Sequence, residues 1–359
     1  MSSHNFFAGP AVLPEVVVKE TAAACIDFTG KGIGIMEISH RSKEFDAVIK
    51  TAQADCLKIL GLDAQEYAVL FLGGGASTQF MMIPQNFLKT KADYVLTGVW
   101  AEKAAKEAKL FGEVNVAATS KEANHNYIPK SWNFHPDSDY VHITTNNTIF
   151  GTEWKIDPDT ANVPLVADMS SDFLAMRRDF SKYSLIYAGA QKNIGPSGVT
   201  LVVIKKEWLE KAGKSGMPTM LNYNTHVKEE SLFNTPPTLP IFTVGRTFKW
   251  IESMGGLEAI EAHNIKKANT IYNVIDAHTD FYKGAVAEAI DRSLMNITWN
   301  LPTPELEEKF INEAKQQNML GLKGHRSVGG IRASVYNACP MASVETLAKF
   351  MEDFYKNNK

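Results

Sequence analysis

Two segments carry the residue types that imine chemistry on a heteroaromatic ring requires: Val166-Ala-Asp168-Met-Ser-Ser and Tyr187-Ala-Gly-Ala-Gln191-Lys192-Asn-Ile-Gly195-Pro-Ser-Gly198. Asp168 closes one apolar run of strand length, and Lys192 follows another. A lysine can join an aldehyde as an imine, and a carboxylate can keep a pyridine nitrogen protonated so that the ring accepts electrons. Pyridoxal 5'-phosphate (PLP) needs that pair, and the small residues around Lys192 leave room for a bulky cofactor near the backbone. Taken singly, a lysine is usually a solvated surface charge and a strand-end aspartate a turn residue.

A second segment, Phe71-Leu-Gly73-Gly74-Gly75-Ala76-Ser77-Thr78-Gln79, runs from an apolar strand through glycines into a probable helix. Free N–H groups at such a helix start, with the Ser77 hydroxyl, suit a phosphate. The segment lacks the Gly-Lys-Ser/Thr of a P-loop and the spacing of the dinucleotide fingerprint, and a plain glycine turn is the competing reading. Trp100 follows the apolar run Tyr94 to Thr97, where an indole can stack on a flat ring or simply pack in the core.

Arginine is rare here: only seven, at 41, 177, 178, 246, 292, 326 and 332, stand among 37 basic residues. Three occur in His40-Arg41-Ser, Gly324-His325-Arg326 and Gly330-Ile-Arg332. Their planar forks match carboxylate or phosphate, although each alone also suits a structural ion pair.

The elements that must hold these groups follow from the hydropathy pattern. Between about residues 66 and 205, apolar runs at 67–72, 94–97, 163–167, 185–187 and 199–204 alternate with amphipathic stretches, as in βα units. That alternation predicts an α/β fold with a mostly parallel sheet covered by helices, and ligands gather at the carboxyl ends of such strands. Helices are expected at 241–253 and 257–278. The remainder reads as a small α+β unit: strands at 294–299 and 331–336, a helix at 303–318 and another after Ser343. A chain of 359 residues exceeds one usual core, so two domains with a cleft between them are expected.

The net charge is -3 with both signs dispersed, which argues against nucleic acid as a partner. The first residues lack a signal-like pattern and no apolar run approaches a membrane span, so a cytoplasmic location and no membrane association are expected. Cys25, Cys56 and Cys339 show no metal-ligand spacing, which predicts free thiols and no metal site. Cys339 is either a buried thiol or a reactive one.

Taken in order, Phe6-Phe-Ala-Gly9-Pro10, Met36-Glu-Ile-Ser-His40-Arg41-Ser-Lys-Glu-Phe45, the Lys192 segment, Phe233-Asn234-Thr235-Pro-Pro-Thr238 and Lys323-Gly-His325-Arg326-Ser-Val-Gly-Gly-Ile-Arg332 resemble the phosphoserine aminotransferase family, class V of the fold-type I PLP enzymes. The likeness covers nearly the whole chain. It implies a seven-stranded large domain over 16–260 and a small C-terminal domain over 261–359, joined by the N-terminal segment 1–15. It implies one PLP per subunit: Lys192 as the Schiff-base lysine, Asp168 on the pyridinium, Trp100 stacked on the ring, Thr148 and Gln191 in contact, and Ala76 and Ser77 at the phosphate. Asn234 and Thr235 match residues that reach the phosphate from the neighbouring subunit, which implies a homodimer.

For substrates, the likeness implies amino transfer between glutamate and 3-phosphohydroxypyruvate, giving 2-oxoglutarate and phosphoserine for serine biosynthesis. A phosphohydroxythreonine activity in vitamin B6 synthesis is known in the family. Arg332 matches the α-carboxylate site, and His40, Arg41, His325 and Arg326 match the distal-anion site. Ser77 and Ala8 depart from members that carry arginine and serine there, which puts side-chain contacts from those positions in doubt. Other class V activities, alanine–glyoxylate transamination or cysteine desulfuration, are the nearest alternatives, and a non-catalytic PLP-binding protein is a more distant one.

Overall fold

A computed structural model describes residues 3–213 and 216–359. The strands, in chain order, are β1 (His4–Asn5), β2 (Tyr67–Leu72), β3 (Lys91–Leu96), β4 (Glu113–Thr119), β5 (Val141–Thr144), β6 (Leu165–Asp168), β7 (Tyr183–Gly189), β8 (Thr200–Lys205), β9 (Lys283–Gly284), β10 (Asn296–Asn300), β11 (Met319–Leu320) and β12 (Ile331–Ser334). Seven of them form one sheet in the order β2-β8-β7-β6-β5-β3-β4, with β8 antiparallel to both neighbours and the remaining pairs parallel.

Side chains alternate across this sheet, because successive residues of a strand point to opposite faces. Val141, Ile143, Leu165, Ala167, Ile186 and Ala188 enter one core with the helices Lys43–Leu60 and Thr238–Ser253. Tyr94, Val166, Leu185 and Tyr187 enter the core on the other side with Phe80, Phe87 and Ala104. Each fully buried aliphatic or aromatic side chain contributes about 1.5–3 kcal/mol, so both faces of the sheet are sealed by strong apolar burial. The parity also places Asp168 beside Val166 on the second face.

Local sequence explains the flanking helices. Ser42 caps Lys43–Leu60 by accepting from the Phe45 N–H at 3.2 Å, and Gly61 ends it in the left-handed region at φ 67°. The helix Gly75–Phe87 starts differently: Gly74, at φ 87°, turns the chain straight off β2, and a Cβ there would collide with Thr78. Its N-terminal residue supplies no side-chain cap.

The helix Gly256–Ala277 runs from the sheet towards a separate core. That core gathers Ile271, Ile275, Ile297, Trp299, Phe310, Leu347 and Phe354 around the antiparallel strands β9, β10 and β12. A buried polar seam fastens it to the sheet. Asn146 donates to Ser171 Oγ and to Asn296 Oδ1, both at 2.8 Å, and Asn296 donates to Ser334 Oγ and the Tyr336 hydroxyl. The N-terminal residues close the assembly: β1 pairs in parallel with β11, and Ala11 N–H donates to the Gln191 carbonyl at 2.9 Å.

The three thiols are free, and burial pushes Cys339 up to about 11, so its packing role prevails over reactivity. No helix among the described residues is long and apolar enough to cross a membrane.

Candidate active site

Lys192 lies in the turn after β7, at the carboxyl end of the sheet. Its ammonium donates to Thr148 Oγ1 at 2.8 Å and sits 5.7 Å from the centre of the Trp100 ring. Burial lowers its pKa to about 8; the Asp168 charge opposes this and the Arg332 charge adds to it. A free amine with that pKa is roughly 300-fold more often neutral near pH 7 than one at the ordinary 10.5. Gly9 makes the close approach possible: at φ 129°, it would place a Cβ only 3.0 Å from Lys192 Cγ.

Asp168 closes β6 and is 4% exposed. Burial raises its pKa, while hydrogen bonding from Ser170, the Lys192 charge and hydrogen bonding from Tyr187 pull it back down. The Ser170 N–H donates to its Oδ1 at 2.9 Å. Amine and carboxylate therefore face one space and feel each other's charge.

Trp100 is the second residue of the helix Val99–Ala108, and its indole N–H is buried without a partner. Thr148 belongs to the loop after β5; its side chain meets Lys192 and its carbonyl accepts from Arg332 Nη1 at 3.2 Å. Gln191 is held by the N-terminal segment through its carbonyl. Ala76 and Ser77 occupy the first turn of the uncapped helix Gly75–Phe87, which leaves backbone N–H donors for an anion.

Arg332, on β12, carries a buried Nε without a partner, and burial lowers its pKa. It lines a cleft of about 930 Å³ together with His325, Lys121, Lys283 and Asn300. Burial lowers the His325 pKa, and the charges of Arg332, Arg326 and Lys103 add to that shift. Arg332, Lys121 and Lys283 bring positive charge to the cleft, while the lowered pKa of His325 favours its neutral ring.

His40 and Arg41 are elsewhere. They line a second, shallower pocket with Lys43, Asp46, Lys228 and Glu229. Asn234 and Thr235 are exposed and also outside the main cleft. Lys192, Asp168, Trp100, Thr148 and Arg332 thus come together, while these four residues do not join them within one chain.

Two groups escaped sequence reasoning. Lys103 stands 4.6 Å from the centre of the Trp100 ring; its position three residues after Trp100 on a helix was the available signal. The other is the pair Tyr187 and His142, whose proximity depends on strand register.

A model of the class-V aminotransferase family matches residues 3–347. The phosphoserine aminotransferase of Herpetosiphon aurantiacus is 52% identical over 359 residues, with 99% of each chain covered. The solved phosphoserine aminotransferase from Bacillus circulans subsp. alkalophilus superposes with a TM-score of 0.97 at 48% identity, covering 100% of this chain and 99% of that one. A PLP-bound phosphoserine aminotransferase from Trichomonas vaginalis gives 0.92 at 37% identity, covering 98% and 100%.

Proposed function

The chain belongs to the class-V aminotransferases, and from that premise we propose that it carries out PLP-dependent amino transfer between glutamate and 3-phosphohydroxypyruvate, producing phosphoserine and 2-oxoglutarate. The observation that carries this reading is the convergence of a part-buried amine of lowered pKa, a buried carboxylate and an anion-seeking arginine around Thr148: Lys192 donates to its hydroxyl, Arg332 donates to its carbonyl, and the Lys192 and Asp168 charges act on each other. It supplies serine biosynthesis.

The residues present fit PLP. Lys192 would hold it covalently, Asp168 would face its ring nitrogen, and Trp100, with its buried indole N–H unpartnered, would lie against the ring. Thr148 and Gln191 would flank it. The uncapped first turn at Ala76 and Ser77 would receive the phosphate. When bound, PLP supplies an electron sink for the carbon that loses its proton.

The chain's own groups do the rest. Lys192 Nζ, once free and neutral, takes the proton from the substrate α-carbon. Thr148 Oγ1 orients that amine, and Arg332 presents its fork to the α-carboxylate, which is common to both amino acids. Arg326 offers positive charge to the distal carboxylate or phosphate, and His325 a ring N–H that can donate to it. The cation-rich mouth favours dianionic substrates over alanine or cysteine.

The reading extends to a homodimer. Asn234 and Thr235 would complete the phosphate site of the neighbouring subunit, and His40 and Arg41, which share a pocket with Lys228 to Leu232, would enter with them. Exposed Ile33, Met36 and Phe233 flank these residues in sequence and supply apolar surface for such a contact. The division into a large unit over 16–260 and a small one over 261–359, with 1–15 joining them, is supported by the separate cores.

The deciding experiment follows the visible absorption of the purified protein and then its turnover. Bleaching by glutamate, with phosphoserine formed from 3-phosphohydroxypyruvate, is the expected result. A protein that binds PLP but prefers alanine or cysteine as donor, or that transfers no amino group, would overturn the assignment.

A further inference from the structure

Asp168 is backed by two further polar side chains on the same face of the sheet. Its ladder partner across β6 and β7 is Tyr187, so both side chains leave the sheet together. His142 of β5 has the same parity, since its neighbours Val141 and Ile143 point into the opposite core. His142 Nε2 lies 2.9 Å from the Tyr187 hydroxyl, and Tyr187, directly opposite Asp168 in the ladder, is one of the groups that lower the Asp168 pKa. Asp168, Tyr187 and His142 are 4%, 0% and 1% exposed, so none of them exchanges these contacts for water.

Proton counting gives the chain a direction. Burial keeps Tyr187 far above its usual range, so the phenol holds its single proton and has it available for the carboxylate opposite in the ladder. Its oxygen must then accept from His142. Burial takes His142 down to about 3, so the ring is neutral and carries one N–H. Placing that proton on Nε2 serves Tyr187. Placing it on Nδ1, which is buried and has no partner, would strand a donor and leave Tyr187 unable to donate both ways. We assign the Nε2–H tautomer on that ground.

The surroundings hold this arrangement in place. Tyr94 stacks on the imidazole with ring centres 4.8 Å apart and planes at 18°, and its hydroxyl is tied to Tyr140 at 2.8 Å. Phe80, from the helix that begins at the phosphate-binding turn, meets Tyr187 edge to face at 6.2 Å. Tyr223 is the other titratable group near Tyr187.

We infer that His142 and Tyr187 are positioning residues: the relay His142 Nε2–H to Tyr187 O–H to Asp168 keeps that carboxylate ionised and turned towards the cofactor's ring nitrogen. The inference rests on the reading of the cleft as a PLP site. Without the relay, the buried carboxylate loses one of the influences that favour its charged form, and its hold on a proton at the ring weakens.

Three variants test it: Tyr187→Phe, His142→Leu and His142→Gln, the last because the glutamine amide N–H can stand where Nε2–H does. Hydrogen bonds to charged groups are worth enough to change a rate roughly ten- to hundredfold. Tyr187→Phe is therefore expected to lower kcat by that factor and to weaken PLP binding to the apoprotein, measured by fluorescence titration, with KM for glutamate and phosphoserine changed less than about twofold. His142→Leu should show a smaller loss of the same kind, and His142→Gln should regain most of it. Wild-type kcat and cofactor affinity in Tyr187→Phe would overturn the relay, as would equal impairment of the leucine and glutamine variants, which indicates packing alone. Should His142→Leu fail to fold, Tyr187→Phe decides. A wild-type protein that does not use PLP sinks the underlying assignment instead, so the two failures are told apart.

Discussion

Arg332 allows a prediction in which charge and shape are separated. Its Nη1 is fixed on the Thr148 carbonyl at 3.2 Å, while its buried Nε is left for a ligand, so the fork is held ready on one side. Arg332→Lys keeps the charge and loses the second, parallel hydrogen bond to the α-carboxylate. One such bond to a charged group is worth about 1.5–3 kcal/mol, so kcat/KM should fall roughly 10- to 150-fold. Because glutamate and phosphoserine share the α-carboxylate, the loss should be equal for both, and steady-state assays in the two directions measure it.

Arg332→Met removes the charge as well, and the arginine charge is one of the influences that hold Lys192 near 8. Its loss moves the Lys192 pKa upward. The amine works when neutral, so activity rises with pH through this pKa, and the rising limb of the kcat profile should shift to higher pH in Arg332→Met and stay in place in Arg332→Lys. A loss confined to one substrate, or a limb that moves to lower pH in the methionine variant, would refute the assignment of Arg332 and its coupling to Lys192.

Other consequences are equally direct. Mixing Lys192→Ala subunits with Arg41→Ala subunits, each inactive alone, should restore activity, because the mixed dimer contains one complete site; no recovery after subunit exchange would place Arg41 and Lys192 in the same chain's site. Gly9→Val puts a branched side chain at φ 129° against Lys192 Cγ, so turnover should collapse and stability fall by about 1–3 kcal/mol, read by denaturant titration. Arg178→Met strands Asp157 and Asp172, which the guanidinium meets at 2.8 and 3.1 Å in the interior, and about 3–5 kcal/mol of stability should be lost.

The chemistry was more legible in the sequence than the geometry. Lys192 and Asp168 stood out because imine formation and pyridinium pairing admit few residue types, and both sit at the ends of apolar runs that became β7 and β6. The runs at 67–72 and 199–204 likewise became β2 and β8 with shifts of no more than one residue. Strands β4 and β5 escaped notice for physical reasons. Edge strand β4 is mostly half-buried and its short apolar stretches are broken by Asn115, and β5 is four residues long with a histidine inside.

What sequence does not carry is register and proximity. Tyr187 reads as one more aromatic in a buried strand until the ladder sets it opposite Asp168. His40 and Arg41 read as part of one anion clamp with His325 and Arg326, yet within a single chain they line a different pocket. Lys103 is hidden among Lys106 on the same helix and Lys109 just beyond its end, and only the helical turn that sets it over Trp100 distinguishes it.

The parallel pairing of β1 with β11 joins residues more than three hundred positions apart, and the same short segment runs on to touch the Gln191 carbonyl beside Lys192. The wall formed by Ala8 to Ala11 is thus tied at one end to β11 and at the other to the turn that carries Lys192, so loosening β11 should be felt at that turn although the two never touch.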